Sequence, residues 1–226
     1  MHGVKRFTQE YRLSKRQENE EKAAAYRARS QAAFERRKDG LHDQQSLDII
    51  QRVVLENTDL ATLWNFRREV LQGMYPDVAD ASQQAALQAT CKAEFVLTQE
   101  CLQINPKSYS VWFHREWVLK WGKCAWQWPV ELKLTAKFLA LDDRNFHCWT
   151  YRRAVVQTAG VSAADELAFT MSKIEANFSN YSAWQCAARA AHRHTRPRPR
   201  PLPAPYACQR PPTEPCLLPL FAQLSL

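Results

Sequence analysis

The feature of this chain that most limits its fold is a spacing repeated around four tryptophans: Trp64, Trp112, Trp149 and Trp184. An Asn or Asp precedes each of them by seven residues, and an aliphatic residue precedes each by ten. An arginine follows the first three by three residues, at Arg67, Arg115 and Arg152. The last two intervals between tryptophans are 37 and 35 residues. A repeat of about 35 residues is typical of an α-solenoid, in which each unit packs against its neighbours.

Each repeat predicts a hairpin of two helices. Positions 17, 14 and 10 before the Trp fall on one face of a first helix. The Asn or Asp is expected to end that helix in a left-handed conformation. The second helix is expected to begin about four residues before the Trp and to end at a glycine, at Gly73, Gly122 and Gly160. We expect all four tryptophans in the core, with each arginine reaching a carbonyl or carboxylate of the adjoining hairpin.

The chain divides into three parts by composition. Residues 1–40 form a charged N-terminal helix that ends at Gly40, residues 41–188 hold the repeats, and residues 189–226 form a low-complexity tail. The first interval of 48 residues contains an inserted loop within Gly73–Ala86. Nine of the twelve prolines lie in the tail, which is therefore expected to be disordered. The predicted fold is all-α, an α-α superhelix with a disordered Pro/Arg-rich tail.

Charge and cysteine usage limit the compartment and the partners. The net charge is +8, but residues 189–226 hold six arginines and one acid, which leaves +3 for the rest. The repeat region therefore carries mixed charge, and we expect no nucleic-acid partner. The chain has no apolar run of the roughly 20 residues that cross a membrane. Seven cysteines without a CxxC motif indicate free thiols in the cytoplasm, and neither cysteines nor histidines have metal-ligand spacing.

Several longer stretches carry a family resemblance. The Asn-x6-Trp-x2-Arg unit resembles the repeat of protein prenyltransferase α subunits, and roughly residues 1–184 resemble the Rab geranylgeranyltransferase branch of that family. The stretches that carry this resemblance are Met1-His2-Gly3, Ala61-Thr62-Leu63-Trp64-Asn65, Asn105-Pro106-Lys107-Ser108-Tyr109, Arg144-Asn145-Phe146-His147-Cys148-Trp149, Glu166-Leu167-Ala168-Phe169-Thr170 and Asn177-Phe178-Ser179-Asn180-Tyr181-Ser182.

The resemblance implies a function. Such α subunits are crescents of hairpins wrapped around a β subunit, which carries the zinc and the isoprenoid pocket. The pair is a type II protein geranylgeranyltransferase, which transfers geranylgeranyl from geranylgeranyl diphosphate to C-terminal cysteines of Rab GTPases presented by a Rab escort protein. This chain itself is expected to hold no cofactor. Alternatives are the α subunit of a farnesyl or type I geranylgeranyl transferase, a non-catalytic helical-repeat scaffold, or an RNA-processing repeat protein served by the basic tail.

One residue has a chemical argument of its own. Lys107 precedes the second helix of its hairpin, where its charge adds to the positive end of the helix and suits a diphosphate. The resemblance implies that the matching lysine contacts the isoprenoid diphosphate and that Tyr109 lies close by. Arg144 is a further candidate substrate-binding residue by position. Ala187 stands where the fourth repeat should have its arginine, and the family's later hairpins do not follow, so we expect a chain truncated at its C-terminal end.

Overall fold

A computed structural model describes residues 8–195 of the chain and the side-chain surroundings of residues 8–192. The opening Met1-His2-Gly3 and residues 196–226, including most of the tail predicted to be disordered, lie outside the described residues. The described residues form helices α1 (Gln9–Lys38), α2 (Gln44–Glu56), α3 (Ala61–Met74), α4 (Gln84–Ile104), α5 (Tyr109–Trp121), α6 (Trp128–Leu141), α7 (Phe146–Thr158), α8 (Ala163–Ala176) and α9 (Tyr181–Thr195).

The helices after α1 pair as four hairpins that follow the predicted repeats. Helices α2 and α3, α4 and α5, α6 and α7, and α8 and α9 pack against each other. The second helices also stack in order, because α3 contacts α5, α5 contacts α7, and α7 contacts α9. Each second helix begins three residues before its Trp. The all-α superhelix of helical hairpins is therefore confirmed for the described residues.

Helix α1 ends at the glycine that the sequence predicts, and a side chain caps its first turn. The Thr8 hydroxyl accepts the backbone N–H of Tyr11 at 3.3 Å and satisfies one of the unpaired donors of the first turn. Gly40 follows the last turn with φ +67°, a left-handed conformation that costs glycine little. Leu41 donates its N–H back to the Arg36 carbonyl at 3.0 Å. The chain then turns directly into α2.

The repeats end their helices differently from the prediction. The residues seven before each Trp do end the first helices, but in extended rather than left-handed conformation, with φ between −136° and −149°. Their side-chain oxygens instead accept the backbone N–H two residues on. Such a turn is a common alternative for Asn and Asp. These residues are Asn57, Asn105, Asp142 and Asn177.

The glycines predicted to end the second helices also differ from one another. Gly160 has φ +66° directly after Ala159, the C-cap of α7, and matches the prediction. Gly73 lies inside α3. Gly122 caps α5 with φ −79°, and the left-handed residue is the next one, Lys123. Gly122 is required by space, because an added Cβ would lie 2.3 Å from the Cys91 sulfur.

Three of the four repeat tryptophans form the core as predicted. Trp64, Trp112 and Trp149 are almost completely buried, whereas Trp184 is 40% exposed. The prediction of a core position is therefore wrong for Trp184. The reason is that its helix, α9, is the last in the described part of the chain, so no described hairpin covers its outer side.

The boundary of the tail also lies further along the chain than predicted. Helix α9 continues to Thr195, whereas the tail was expected from residue 189. Residues 189–195 contain no proline, and the first proline of the tail is Pro197.

Candidate functional site

Four short loops, each joining the two helices of a hairpin, lie side by side and form what we call the loop edge: residues 57–60, 105–108, 142–145 and 177–180. The indole N–H of each repeat Trp donates to the carbonyl six residues before it at 2.8–2.9 Å. In three cases, a side chain of the next loop donates to the same carbonyl, from Ser108, Asn145 and Asn180. Each loop is thereby fixed to its own hairpin and to its neighbour.

Lys107 lies on this loop edge, immediately before the N-terminus of α5. Its side chain is 66% exposed, and its ammonium nitrogen lies 3.4 Å from Asp142 Oδ2 in the next loop. Its backbone N–H donates to Asn105 Oδ1 at 3.1 Å. The adjacent Ser108 caps α5, since its hydroxyl accepts the N–H of Val111. Lys107 is therefore the residue before the cap of a helix, and its ammonium group is directed towards the third loop.

Tyr109 lies two residues after Lys107 and does not pack in the core. Tyr109 is the first residue of α5, and it is 67% exposed to solvent. Its ring meets the His147 ring edge to face, with centroids 4.1 Å apart, and the Phe146 ring at 5.8 Å. These three rings form an aromatic group on the loop edge beside Lys107.

His147 was not selected by sequence reasoning. Burial is the largest influence and lowers the pKa of its imidazole, and the nearby Lys107 charge lowers that pKa further, while Asp59 raises it. The ring is therefore neutral at pH 7. The signal that could have found it is its position two residues before Trp149, where the other repeats have Thr62, Ser110 and Ser182.

Arg144 lies one loop further along the edge. Its guanidinium donates to Ser179 Oγ at 2.8 Å, and its backbone N–H donates to Asp142 Oδ1 at 3.1 Å. The structure therefore directs the side chain of Arg144 towards the fourth loop, whereas Lys107, Tyr109 and His147 come together between the second and third. A role for Arg144 in substrate binding remains a prediction.

Buried arginine–glutamate pairs hold the hairpins, and hence the loop edge, in register. The arginine three residues after each of the first three tryptophans makes two hydrogen bonds to a glutamate in the first helix of the next hairpin, at 2.6–3.0 Å. Each also donates to a carbonyl of its own hairpin. The pairs are Arg67–Glu94, Arg115–Glu131 and Arg152–Glu166, with every side chain at most 6% exposed.

These contacts confirm the expected partner type for the arginines, but sequence reasoning missed the glutamates. Each glutamate stands 18 residues before the Trp of its own repeat, a regularity visible in the sequence. Burial alone raises the pKa of the Glu94 carboxyl, but Arg67 and His114 together lower that pKa to about 2. Burial lowers the pKa of His114, which remains neutral and shares a 2.9 Å hydrogen bond with Glu94. The repeat arginines therefore stabilise the fold and lie away from the loop edge.

Residues 8–195 offer neither a metal site nor a membrane span. Within them, no group of three or more His, Cys, Asp or Glu side chains could hold a metal ion. None of the described helices is long and apolar enough to span a bilayer. The cysteines of the described region are buried and free: Cys91, Cys101, Cys124, Cys148 and Cys186.

Three of the hairpins match a known protein family. The family described as "Protein prenyltransferase alpha subunit repeat" matches residues 91–122, 128–159 and 163–187. These segments are the second, third and fourth hairpins, with the second helix truncated only in the last match. The repeat found from the tryptophan spacing is therefore the repeat of this family.

Comparison with individual proteins gives a consistent set of relatives. The chain is 44% identical over 187 residues to the human protein named geranylgeranyl transferase type-2 subunit alpha, across 81% of this chain and 32% of that protein. It is 37% identical to the protein of that name from Dictyostelium discoideum and 33% to the one from Candida albicans, covering 53% of each. The chain thus spans about a third of the length of its human relative and about half of the other two.

Proposed function

The chain belongs to the family built from protein prenyltransferase α-subunit repeats, and from that premise we propose that it serves as the α subunit of a heterodimeric Rab geranylgeranyltransferase. In this proposal the heterodimer transfers geranylgeranyl from geranylgeranyl diphosphate to C-terminal cysteines of Rab GTPases. A Rab escort protein presents the Rab substrate. The type-2 names of relatives from three distant organisms support this branch over the farnesyl and type I branches.

The observation that carries the proposal is the setting of Lys107. Its exposed side chain extends from the residue that precedes the Ser108 cap of α5, on a loop fixed by hydrogen bonds from both sides. A full positive charge next to the positive end of a helix favours a polyanion such as a diphosphate. As negative charge develops on the departing diphosphate, Lys107 offsets it and lowers the barrier to transfer.

The aromatic group of Tyr109, Phe146 and His147 lines one side of the proposed site. Tyr109 presents its exposed ring on one side, and the neutral His147 imidazole supports that ring from behind. Because His147 carries no charge at pH 7, Lys107 supplies the positive charge at this point of the loop edge. Zinc, expected on the partner β subunit, would favour the thiolate form of the Rab cysteine when bound there.

A surface suited to the β subunit lies along the same edge. Aromatic residues begin the second helices of three successive hairpins, and they are 49–79% exposed. Phe113 and Phe178 add further exposed rings. Exposed aromatic clusters of this kind are characteristic of protein–protein interfaces. The residues that begin these helices are Tyr109, Phe146 and Tyr181.

The proposed compartment is the cytoplasm. The five cysteines of the described region are free and buried, and burial is the largest influence raising the pKa of Cys101 and Cys148 to about 12. Thiols of this kind persist in a reducing compartment. Rab GTPases and the escort protein would meet the enzyme there.

The first experiment is transfer of labelled geranylgeranyl to a Rab protein by this chain co-purified with a type-2 β subunit and supplied with escort protein. We expect transfer from geranylgeranyl diphosphate in preference to farnesyl diphosphate. A chain that fails to co-purify with the β subunit would refute the proposed partner. Preferential use of farnesyl diphosphate on a substrate other than Rab would favour the farnesyl branch.

Substitution of Lys107 tests the site within that assay. Lys107→Ala should lower the transfer rate about 10–100-fold, as expected when one charged group facing the transition state is lost, while assembly with the β subunit is unchanged. Lys120→Ala is the matched control, because Lys120 is equally exposed on α5 but pairs with Glu116 away from the loop edge. Equal transfer rates for Lys107→Ala and the parent chain would contradict the assigned role.

A further inference from the structure

Successive loops of the loop edge contact each other through the residue seven before each Trp, and the contact between the second and third loops differs from the others. At three positions the residue seven before the Trp is an asparagine, and its amide donates to the preceding structure. Asn57 donates to the Tyr26 hydroxyl at 3.1 Å, Asn105 to Asp59 Oδ2 at 3.0 Å, and Asn177 to Asp143 Oδ2 at 2.6 Å. The donor therefore comes from the later loop and the acceptor from the earlier element.

The junction between the second and third loops has the opposite polarity. Asp142 occupies the asparagine position, and a carboxylate has no N–H to donate. It instead forms an ion pair with Lys107 of the earlier loop, whose ammonium nitrogen lies 3.4 Å from Asp142 Oδ2. Lys107 stands five residues before its Trp, the same position that Asp59 holds in the first repeat. This reversal places a cation on the earlier loop and a carboxylate on the later one.

The two oxygens of Asp142 have separate tasks. Oδ1 accepts the Arg144 backbone N–H at 3.1 Å and forms the turn common to all four repeats. Oδ2 lies towards Lys107. The turn needs one acceptor oxygen, which an asparagine also has, whereas the ion pair needs the carboxylate charge. The charge of Asp142 is therefore not explained by the turn.

The Lys107–Asp142 pair also differs from the pairs that hold the hairpins together. Its side chains are 66% and 38% exposed and its distance is 3.4 Å. The arginine–glutamate pairs are at most 6% exposed and lie at 2.6–2.7 Å. Solvated pairs contribute little to stability and exchange partners readily. A competing anion can therefore take Lys107 from Asp142 at small cost.

We propose that Asp142 is a positioning residue that holds the Lys107 ammonium over the N-terminus of α5 and releases it to the diphosphate of the isoprenoid substrate. This inference rests on the proposed function, and it adds a residue that acts through Lys107. Asp142 competes with the diphosphate for the same cation. It therefore orients the free site, weakens binding of the substrate diphosphate, and assists departure of the product diphosphate.

The main test is the affinity of the heterodimer with a type-2 β subunit for geranylgeranyl diphosphate. Asp142→Asn keeps the turn and removes the competitor, so the Kd should fall about two- to fivefold, the range expected from an exposed ion pair. Product inhibition by inorganic diphosphate should strengthen by the same factor. An unchanged or higher Kd would overturn the proposal.

Two further variants separate tethering from a general charge effect. Asp143→Asn makes the same charge change one residue away, where the carboxylate contacts Asn177, and it should leave the Kd unchanged. In a Lys107→Met background, Asp142→Asn should also have no effect, because the cation it restrains is gone. The proposal that Asp142 positions Lys107 would be refuted if Asp142→Asn and Asp143→Asn lowered the Kd equally. It would also be refuted if Asp142→Asn still lowered the Kd in the Lys107→Met background.

A measurement on the chain without its partner separates failure of this inference from failure of the proposed function. The ¹⁵N resonance of the Lys107 side chain should move in Asp142→Asn and stay in place in Asp143→Asn. If the Lys107 resonance does not move in Asp142→Asn, the proposed ion pair is refuted, whether or not the chain binds a β subunit. A resonance that moves in a chain that binds no β subunit would leave the pair intact and refute the proposed function together with the release step.

Discussion

Replacing Arg115 tests the idea that buried ion pairs hold successive hairpins together. Its guanidinium donates twice to Glu131 at 2.7 Å, and also to the Phe95 carbonyl and the Thr98 hydroxyl at 2.7 Å. The Arg115 and Glu131 side chains are 1% and 0% exposed. Arg115→Met keeps much of the volume and leaves Glu131 as a buried charge without its partner.

The expected loss is large for a single substitution. Removing one partner of a buried ion pair destabilises a protein by about 3–5 kcal/mol, because the remaining charge is uncompensated. With about 2–4 °C per kcal/mol for a chain of this size, the Tm should fall by about 6–20 °C. Tyr151 and Gln127 still donate to Glu131, so we expect the lower half of that range.

A second substitution shows whether the loss comes from the charge. Glu131→Gln in the Arg115→Met background removes the unpaired charge and keeps an acceptor for the Tyr151 hydroxyl. The double variant should therefore recover at least about 1 kcal/mol, which is within the range of coupling energies between contacting residues.

The assay is urea unfolding followed by circular dichroism and tryptophan fluorescence. Lys120→Met is the control on the same helix, because the Lys120–Glu116 pair is exposed and should contribute less than about 1 kcal/mol. The reasoning would be refuted by a loss below about 1 kcal/mol for Arg115→Met, or by a double variant no more stable than Arg115→Met alone.

Three further predictions follow from burial, charge and space. Trp112→Ala should cost about 3–5 kcal/mol by cavity formation, and the half-exposed Trp184→Ala about half as much, both read from urea unfolding; equal losses would contradict the assigned burial. The depressed pKa of Glu94 implies stability that is present above pH 4.5 and lost as pH falls towards 2, a dependence that urea titrations from pH 7 to 3 should find weaker in Glu94→Gln. Gly122→Ala meets two buried sulfurs and should destabilise by about 1–3 kcal/mol. Gly73→Ala meets the His42 side chain, whose exposed ring can turn away while its Cβ at 2.8 Å has to shift, so it should destabilise less than Gly122→Ala; a reversed order of their Tm values would count against the packing argument.

The candidate site was predictable in part. The identity of Lys107 and its place before a helix follow from the sequence, because Asn105, Pro106 and the Trp112 spacing fix where the hairpin turns. Its neighbours do not follow, since Asp142 and His147 lie 35 and 40 residues further along the chain. They meet Lys107 because adjacent hairpins stack with their turns in register.

The same division holds for the fold as a whole. The hairpins could be predicted from local sequence pattern, because helical periodicity acts over three or four residues and the tryptophan spacing recurs four times. Only the tertiary structure decided which glutamate each arginine pairs with, that Trp184 is half exposed, and that Asp142 faces Lys107. These are contacts between hairpins, and they depend on how one unit is rotated and shifted against the next, which no local pattern specifies.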